Sequence, residues 1–211
     1  MTTLLLCAAS YLLGAVPFGY LVGRARGMDV RLAGSGNVGA TNVWRTAGRT
    51  AGLVTLLADA AKGFIPACGF PMLAAARGAG DTTALGVLCA CLAVAGHNWP
   101  VYLRFKGGKG VATTMGALLG IAPAALGVMA LVWLVLFAAT RYVSVGSIGG
   151  ALALSAAGWL LYFRERGWIL PAALTALGLA AVWRHRGNIR RLLKGTERRM
   201  GKKARGEGAA G

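Results

Sequence analysis

Three segments of the chain combine glycine with hydroxyl, amide and cationic side chains at close spacing. They read GSGNVGATNVWRTAGRT (Gly34 to Thr50), GHNWPVYLRFKGGKGVATT (Gly96 to Thr114) and RYVSVGSI (Arg141 to Ile148). Glycine lets a backbone come close enough to an anion for its N–H groups to point inward, and Lys or Arg adds the balancing charge. Three such loops brought together make a pocket for phosphate groups. Basic residues that merely anchor glycine-rich connections to anionic lipid are the plainer reading, and it accounts for the basic C-terminal tail. It leaves the Ser, Asn and Thr packed between the glycines without a role.

Several other chemistries are excluded by the same residues. Gly107 to Gly110 reads GGKG, without the GK[ST] ending or the upstream glycine of a nucleotide-binding P-loop. Ser35 lies in LAGSGN, which is not the GxSxG elbow of a serine hydrolase. Between Arg24 and Ile148 the basic loops carry one carboxylate, Asp29, so a two-metal phosphotransferase lacks its ligands. The chain has two histidines. His97 opens the second glycine-rich loop and His185 begins HRGN, so both fall beside the expected anion pocket, where a neutral imidazole can donate to a phosphate or take a proton. Asp59 and Lys62, at i and i+3 within an apolar run, are expected to pair and cancel as a structural ion pair.

The elements that position these loops are membrane helices. Of 211 residues, 56% are apolar and 14% are charged, and 23 Lys+Arg against 6 Asp+Glu give a net charge of +17. Mean hydropathy is +0.61, and the charges cluster between long uncharged runs, which excludes both an ordinary soluble domain and a disordered basic protein. Thr3 to Val22, Ala84 to Leu103 and Val111 to Thr140 carry no Asp, Glu, Lys or Arg; about 20 apolar residues cross a bilayer as a helix. No basic residues precede the first run, so it reads as a retained helix and not a cleaved signal peptide. The 33 glycines favour close-packed helices over a barrel. Cys7, Cys68, Cys89 and Cys91 lie in apolar runs without zinc or CxxC spacing and read as reduced packing residues.

Charge decides the number of crossings. Val111 to Thr140 would make a helix of about 45 Å against a hydrocarbon core of about 30 Å, and Pro123 breaks it. If this run crosses twice, Arg24 to Thr50 (+4), Arg104 to Gly110 (+3), Arg141 (+1) and Arg184 to Gly211 (+8) share one side. A single crossing would set the tail against the first loop, which the positive-inside rule disfavours. The expectation is an all-α integral membrane protein, a compact bundle of seven transmembrane helices. The fourth and fifth form a short hairpin, the N-terminus is outside and the C-terminus is cytoplasmic. Residues 1–183 form this domain, with cytoplasmic loops 24–50, 96–114 and 141–148, and 184–211 form a basic cytoplasmic tail.

The motifs resemble those of the bacterial acyl-phosphate:glycerol-3-phosphate acyltransferase family (PlsY) over nearly the whole chain. They are YLLGAVPFGYLVGR (Tyr11 to Arg24), GSGNVGATNVWRTAG (Gly34 to Gly48), GHNWPVYLRFKGGKGVAT (Gly96 to Thr113), RYVSVGSI and RHRGNIRRLLKGTE (Arg184 to Glu197). The resemblance implies seven helices and acyl transfer from an acyl phosphate to the sn-1 hydroxyl of glycerol 3-phosphate, giving lysophosphatidic acid and inorganic phosphate. It also implies a multi-pass protein of the bacterial inner membrane, its site facing the cytoplasm, with a functional link to an acyl-phosphate-forming enzyme. No metal or cofactor is called for, and the oligomeric state is open, a monomer included. An acyl phosphate brings its own leaving group, so no covalent nucleophile is needed, and positioning and electrostatics supply most of the rate.

Roles follow from that match. Gly34, Ser35, Gly36 and Asn37 are expected to cradle a phosphate or the developing oxyanion, with Thr41 and Asn42 beside them. Arg45, Lys106 and Lys109 neutralise charge around Gly107 and Gly108, Arg141, Ser144 and Ser147 close the third side, and His185 with Asn188 holds glycerol 3-phosphate. His97 orients or deprotonates the acceptor hydroxyl; alternatively the acyl phosphate's own oxygen takes that proton and His97 only binds. Acyltransferases that use acyl-CoA or acyl carrier protein resemble one another in HxxxxD. Here Tyr102 and Arg190 occupy the fifth positions after His97 and His185, so neither histidine is expected to have its aspartate.

A transporter for a phosphorylated metabolite is the main rival, but apart from Asp59 and Lys62 the helices lack an ionisable pathway, and no internal repeat is visible. A lipid-binding scaffold leaves the three loops unexplained. Nucleic-acid binding is a poor use of the charge, because only the tail is a continuous basic run.

Overall fold

The computed structural model describes residues 2–201, which form helices and connecting loops with no strand among them. The helices are α1 (Thr2–Ala15), α2 (Phe18–Ala25), α3 (Ala40–Ala47), α4 (Arg49–Phe64), α5 (Phe70–Ala76), α6 (Thr83–Asn98), α7 (Val111–Ile121), α8 (Pro123–Thr140), α9 (Val143–Arg166), α10 (Ile169–Arg184) and α11 (Arg186–Leu193). A π-helical turn, Ile65–Gly69, joins α4 to α5, with Pro66 at its start. Proline has no N–H to continue the α-helical ladder, and the wider turn absorbs the interruption.

Among the described residues, five helical runs are long and apolar enough to cross a membrane: Thr3–Ala25, Arg49–Ala76, Thr83–Leu103, Pro123–Thr140 and Val143–Arg166. Val111–Ile121 and Ile169–Arg184 are shorter apolar helices. In α8 only Ala125 and Met129 are buried, while Leu131, Leu134 and Val135 are each more than half exposed. A surface of this kind is tolerated in lipid and not in water. The protein is a multi-pass membrane protein.

Small residues bring the helices together. A Cβ on Gly63 of α4 would meet the Thr113 carbonyl oxygen of α7, and one on Gly116 of α7 would meet that of Ala60 in α4. The two backbones are therefore in contact, which replaces the hydrophobic drive that is missing between helices in lipid. A core of Val87, Leu118, Ile121, Met129, Leu154 and Leu174 joins α6 to α10. A second cluster, with Val30 and Val43 wholly buried beside Val38, Ala51 and Leu103, pins the first loop onto α3 and α4.

The break at Pro123 is present, with Ala122 before it outside the helical region at φ -154° and ψ 64°. The chain leaves the loop region at Val111 and returns to it at Val143; α7 packs mainly on α4 and α6, and α8 mainly on α9. The one residue between them, Ala122, still carries helical hydrogen bonds, Ala122 to Leu118 and Leu126 to Ala122, so it makes a bend and not a loop. Residues 186–200, expected as part of the tail, form α11 and a strap that returns over the loops; Met200 N–H donates to the Arg141 carbonyl at 2.9 Å. The tail beyond Gly201 lies outside the described residues.

Candidate active site

Four segments converge on one cavity of about 520 Å³. Gly34, Ser35, Asn37, Thr41, Asn42 and Arg45 come from the first loop and α3. His97 comes from the end of α6 and Lys109 from the second loop, Ser144 and Ser147 from the start of α9, and His185 and Asn188 from the junction of α10 and α11. Of the residues singled out in the sequence, Gly36, Lys106, Gly107, Gly108 and Arg141 are not on its wall. Lys106 and Arg141 are exposed. Gly36 turns the first loop at φ 70°, and Gly107 and Gly108 support the second from behind.

The first loop is shaped by asparagines. Asn42 accepts the Ser35 N–H at 2.8 Å through Oδ1 and donates through Nδ2 to the carbonyls of Val30 (3.0 Å) and Ala33 (3.1 Å). Its amide is thereby committed to backbone, and it acts as the spacer that presents Ser35 more than as a ligand. Asn37 Oδ1 accepts the Gly39 N–H at 2.8 Å, a local turn that starts α3 and carries Arg45 to the cavity.

The second loop folds back on α6, the Gly108 N–H donating to the His97 carbonyl at 3.1 Å. A Cβ at Gly108 would collide with the His97 ring at Nε2, Cε1 and Cδ2, so only glycine fits there. Arg184 locks the outer side, donating to the carbonyls of Gly108 (2.8 Å) and Gly107 (2.6 Å). Lys109 is then aimed at Asn188, to whose Oδ1 its ammonium donates.

Arg184, Arg191 and Glu197 were not singled out in the sequence, although all three stand in the RHRGNIRRLLKGTE motif. Glu197 accepts from Ser144 Oγ (2.9 Å), Asn188 Nδ2 (2.6 Å) and Arg191 Nε (2.6 Å), tying the strap to α9 and α11. Arg45 donates to the Arg198 carbonyl at 3.3 Å. Trp133 of α8 donates to Ser147 Oγ at 3.3 Å, and Leu56, Val111, Ala112, Met115 and Val143 complete an apolar side of the same cavity.

The environment sets the protonation states. Burial pushes the Lys109 ammonium down to about 8, against the opposing pull of Glu197. Burial, with Lys109 nearby, takes His185 down to about 4. Its Nδ1 lies 2.8 Å from the Ala181 carbonyl, which can only accept, so Nδ1 carries the proton and Nε2 of the neutral ring is an acceptor. Burial works against the charge of Glu197, but hydrogen bonds from Asn188, Arg191 and Ser144 outweigh it and hold the carboxyl below its usual range.

The structure corrects the expectation that neither histidine has an aspartate. Asp59 Oδ1 of α4 stands 3.6 Å from His97 Nδ1, with both side chains buried. Lys62 Nζ pairs with the same carboxylate oxygen at 2.8 Å and donates to the Val16 carbonyl at 2.7 Å, where Pro17 interrupts the first helical run. The sequence shows the Asp59–Lys62 spacing but nothing of His97, which is 38 positions further along a different helix. Among the described residues no group of His, Cys, Asp or Glu is placed to hold a metal ion, and the four cysteines are free.

The chain is similar over nearly its whole length to known glycerol-3-phosphate acyltransferases. The family model for glycerol-3-phosphate acyltransferase matches residues 4–195. A glycerol-3-phosphate acyltransferase of Rubrobacter xylanophilus is 47% identical over 99% of this chain and 100% of its own, and that of Desulforamulus reducens is 43% identical over 96% and 98%. Two crystal structures of PlsY (YgiH), an integral membrane glycerol 3-phosphate acyltransferase, superpose on this chain with 37% identity over 95% of it and 96% of theirs. The glycerol 3-phosphate form has a TM-score of 0.84 and the lysophosphatidic acid form one of 0.82.

Proposed function

The chain belongs to the glycerol-3-phosphate acyltransferase family, and from that premise we propose that it transfers a fatty acyl group from an acyl phosphate to the sn-1 hydroxyl of glycerol 3-phosphate. The hydroxyl oxygen bonds to the acyl carbon, the carbon–oxygen bond to phosphate breaks, and lysophosphatidic acid and inorganic phosphate leave. The observation that carries this reading is the single cavity, in which Arg45, Lys109, Arg191 and Arg198 face Ser35, Ser144 and Ser147 while Leu56, Met115 and Trp133 form an apolar wall. Cations suit two phosphate-bearing substrates, and the apolar side suits one acyl chain. No serine elbow is present, and an acyl phosphate does not require one.

Ser35 and Asn37, on a loop spaced by Asn42, stabilise the anion that develops at the acyl carbonyl. Lys109 and Arg45 neutralise phosphate charge, and His185 with Asn188 holds the glycerol portion. His97 takes the proton of the acceptor hydroxyl. The chain crosses the bacterial inner membrane seven times with its N-terminus outside, so that the basic loops and the cavity meet the cytoplasm. Support comes from the charge asymmetry of the loops and from their convergence on one cavity. An enzyme that forms acyl phosphates supplies the donor.

Purified protein in lipidic mesophase, given palmitoyl phosphate and glycerol 3-phosphate, is expected to release inorganic phosphate and form lysophosphatidic acid only with both present. Turnover with palmitoyl-CoA in place of the acyl phosphate would overturn the assigned donor.

A further inference from the structure

Among the described residues that line the cavity, Trp133 is the single tryptophan, tyrosine or phenylalanine; its larger apolar neighbours there, Leu56, Val111, Met115 and Val143, are aliphatic or thioether side chains. We propose that Trp133 is a specificity-determining residue for the acyl donor: its indole is a fixed wall beside C2, the carbon next to the acyl carbonyl, and confines turnover to acyl phosphates that are unbranched there. This rests on the reading of the cavity as the site of acyl transfer from an acyl phosphate.

Trp133 is held on three sides. Its indole N–H donates to Ser147 Oγ at 3.3 Å, and Ser147 is itself fixed, its hydroxyl donating to the Val143 carbonyl at 2.9 Å. Phe137, one turn further along α8, stacks on the indole with ring centroids 4.9 Å apart and planes 20° from parallel. Gly146 of α9 lies against it: a Cβ there would stand 2.9 Å from the Trp133 carbonyl oxygen and 3.2 Å from the indole Cδ1, so the α9 backbone blocks retreat in that direction. A side chain pinned in this way does not make room as the flexible Met115 can. Helix α9 also sets where the indole stands along the wall. Ser144, bonded to Glu197, belongs to the polar part, and Ser147, bonded to Trp133, follows three residues later, about 4.5 Å along the helix axis. An acyl phosphate passes from anion to hydrocarbon within three bonds, from phosphorus through oxygen and C1 to C2. C2 is therefore the first carbon that needs an apolar contact, and the indole is the apolar group hydrogen-bonded to the polar wall. A methyl branch at C2 must overlap the indole or lift the carbonyl away from the cationic groups, and one extra carbon in an apolar site is worth about 10–200-fold in discrimination.

The test supplies purified protein in lipidic mesophase with glycerol 3-phosphate and either palmitoyl phosphate or 2-methylpalmitoyl phosphate, and measures the lysophosphatidic acid formed from each. The wild type is expected to favour the unbranched donor by about 10-fold or more in kcat/KM, and Trp133→Leu to narrow that ratio by about 10-fold. Comparing the ratio between proteins cancels the lower intrinsic reactivity of a branched acyl group. Trp133→Phe keeps a smaller ring at the same place and is expected to fall between the two; it decides the matter if the leucine variant does not fold. A ratio that stays at the wild-type value in the folded variants, whether or not the overall rate drops, overturns the proposal, as does a wild type that uses both donors equally. In those cases lysophosphatidic acid still forms from palmitoyl phosphate, so the acyl-phosphate reading stands and only the role of Trp133 is lost. If the wild type forms it from neither donor, that reading fails and the role of Trp133 falls with it.

Discussion

Arg184 closes on the backbone of Gly108: its Nε donates to the Gly108 carbonyl at 2.8 Å while Nη2 reaches the neighbouring Gly107 carbonyl at 2.6 Å. Helix α10 thereby grips the loop that presents Lys109. A planar guanidinium serves two adjacent carbonyls at once, which a lysine ammonium does not do in a fixed geometry. Arg184→Lys is expected to fold and to lose about 10–100-fold in kcat/KM, since a small misplacement of a positioning group costs that much. Steady-state kinetics beside a thermal melt in detergent check this; unchanged kinetics would remove Arg184 from the support of the loop.

Gly108 faces the His97 ring with no room for a methyl group. Gly108→Ala must displace either the imidazole or the loop, and overpacking of this kind costs about 1–3 kcal/mol. We expect a lowered melting temperature and a loss of turnover larger than the stability change explains. Ala at Gly187, where the nearest atom to a Cβ is the flexible end of Arg191 at 3.6 Å, is the control that should melt like the wild type.

Lys109 is held near 8 by burial. Its charge is present below that pH and lost above it, so kcat/KM for the free enzyme is expected to fall as pH rises through about 8. Lys109→Arg keeps its charge over the whole range, and any activity it retains should lack this alkaline limb. A pH–rate profile of both proteins decides the matter, and an alkaline limb that persists in the arginine variant would assign it to another group.

Asn42 supplies three hydrogen bonds to backbone groups of the first loop. Asn42→Ala leaves those groups without their partner at about 1–3 kcal/mol each where they stay buried. Asn42→Asp retains an acceptor for the Ser35 N–H but cannot donate to the carbonyls of Val30 and Ala33. Both variants are expected to lower stability and raise the KM for substrate; a variant with wild-type melting and kinetics would show that Ser35 is held by other contacts.

Much of this protein is legible without coordinates. Uncharged runs of membrane length and the gathering of basic residues between them reveal the helices and the shared side of the loops, because burying a charge in hydrocarbon is too costly to be common. Pro123 marks a real break. Ser35, Arg45, His97, Lys109, Ser144, Ser147, His185 and Asn188, chosen by residue type within glycine-rich motifs, all line the cavity. Lys106, Arg141 and Gly36 share those motifs and lie off its wall, because residue type does not say on which side of a turn a side chain emerges.

Local composition was enough to determine a membrane protein with basic, glycine-rich loops, since hydropathy and charge act residue by residue along the chain. Pairings between distant segments depended on helix packing: Asp59 with His97, Arg184 with the carbonyls of Gly107 and Gly108, and Glu197 with Ser144. The small residues that let α4 and α7 touch, and the Val16–Pro17 break that Lys62 serves, set which side chains meet. Tertiary structure decided the neighbours, because contact between residues far apart in sequence is a property of how backbones approach and not of the residues' own types.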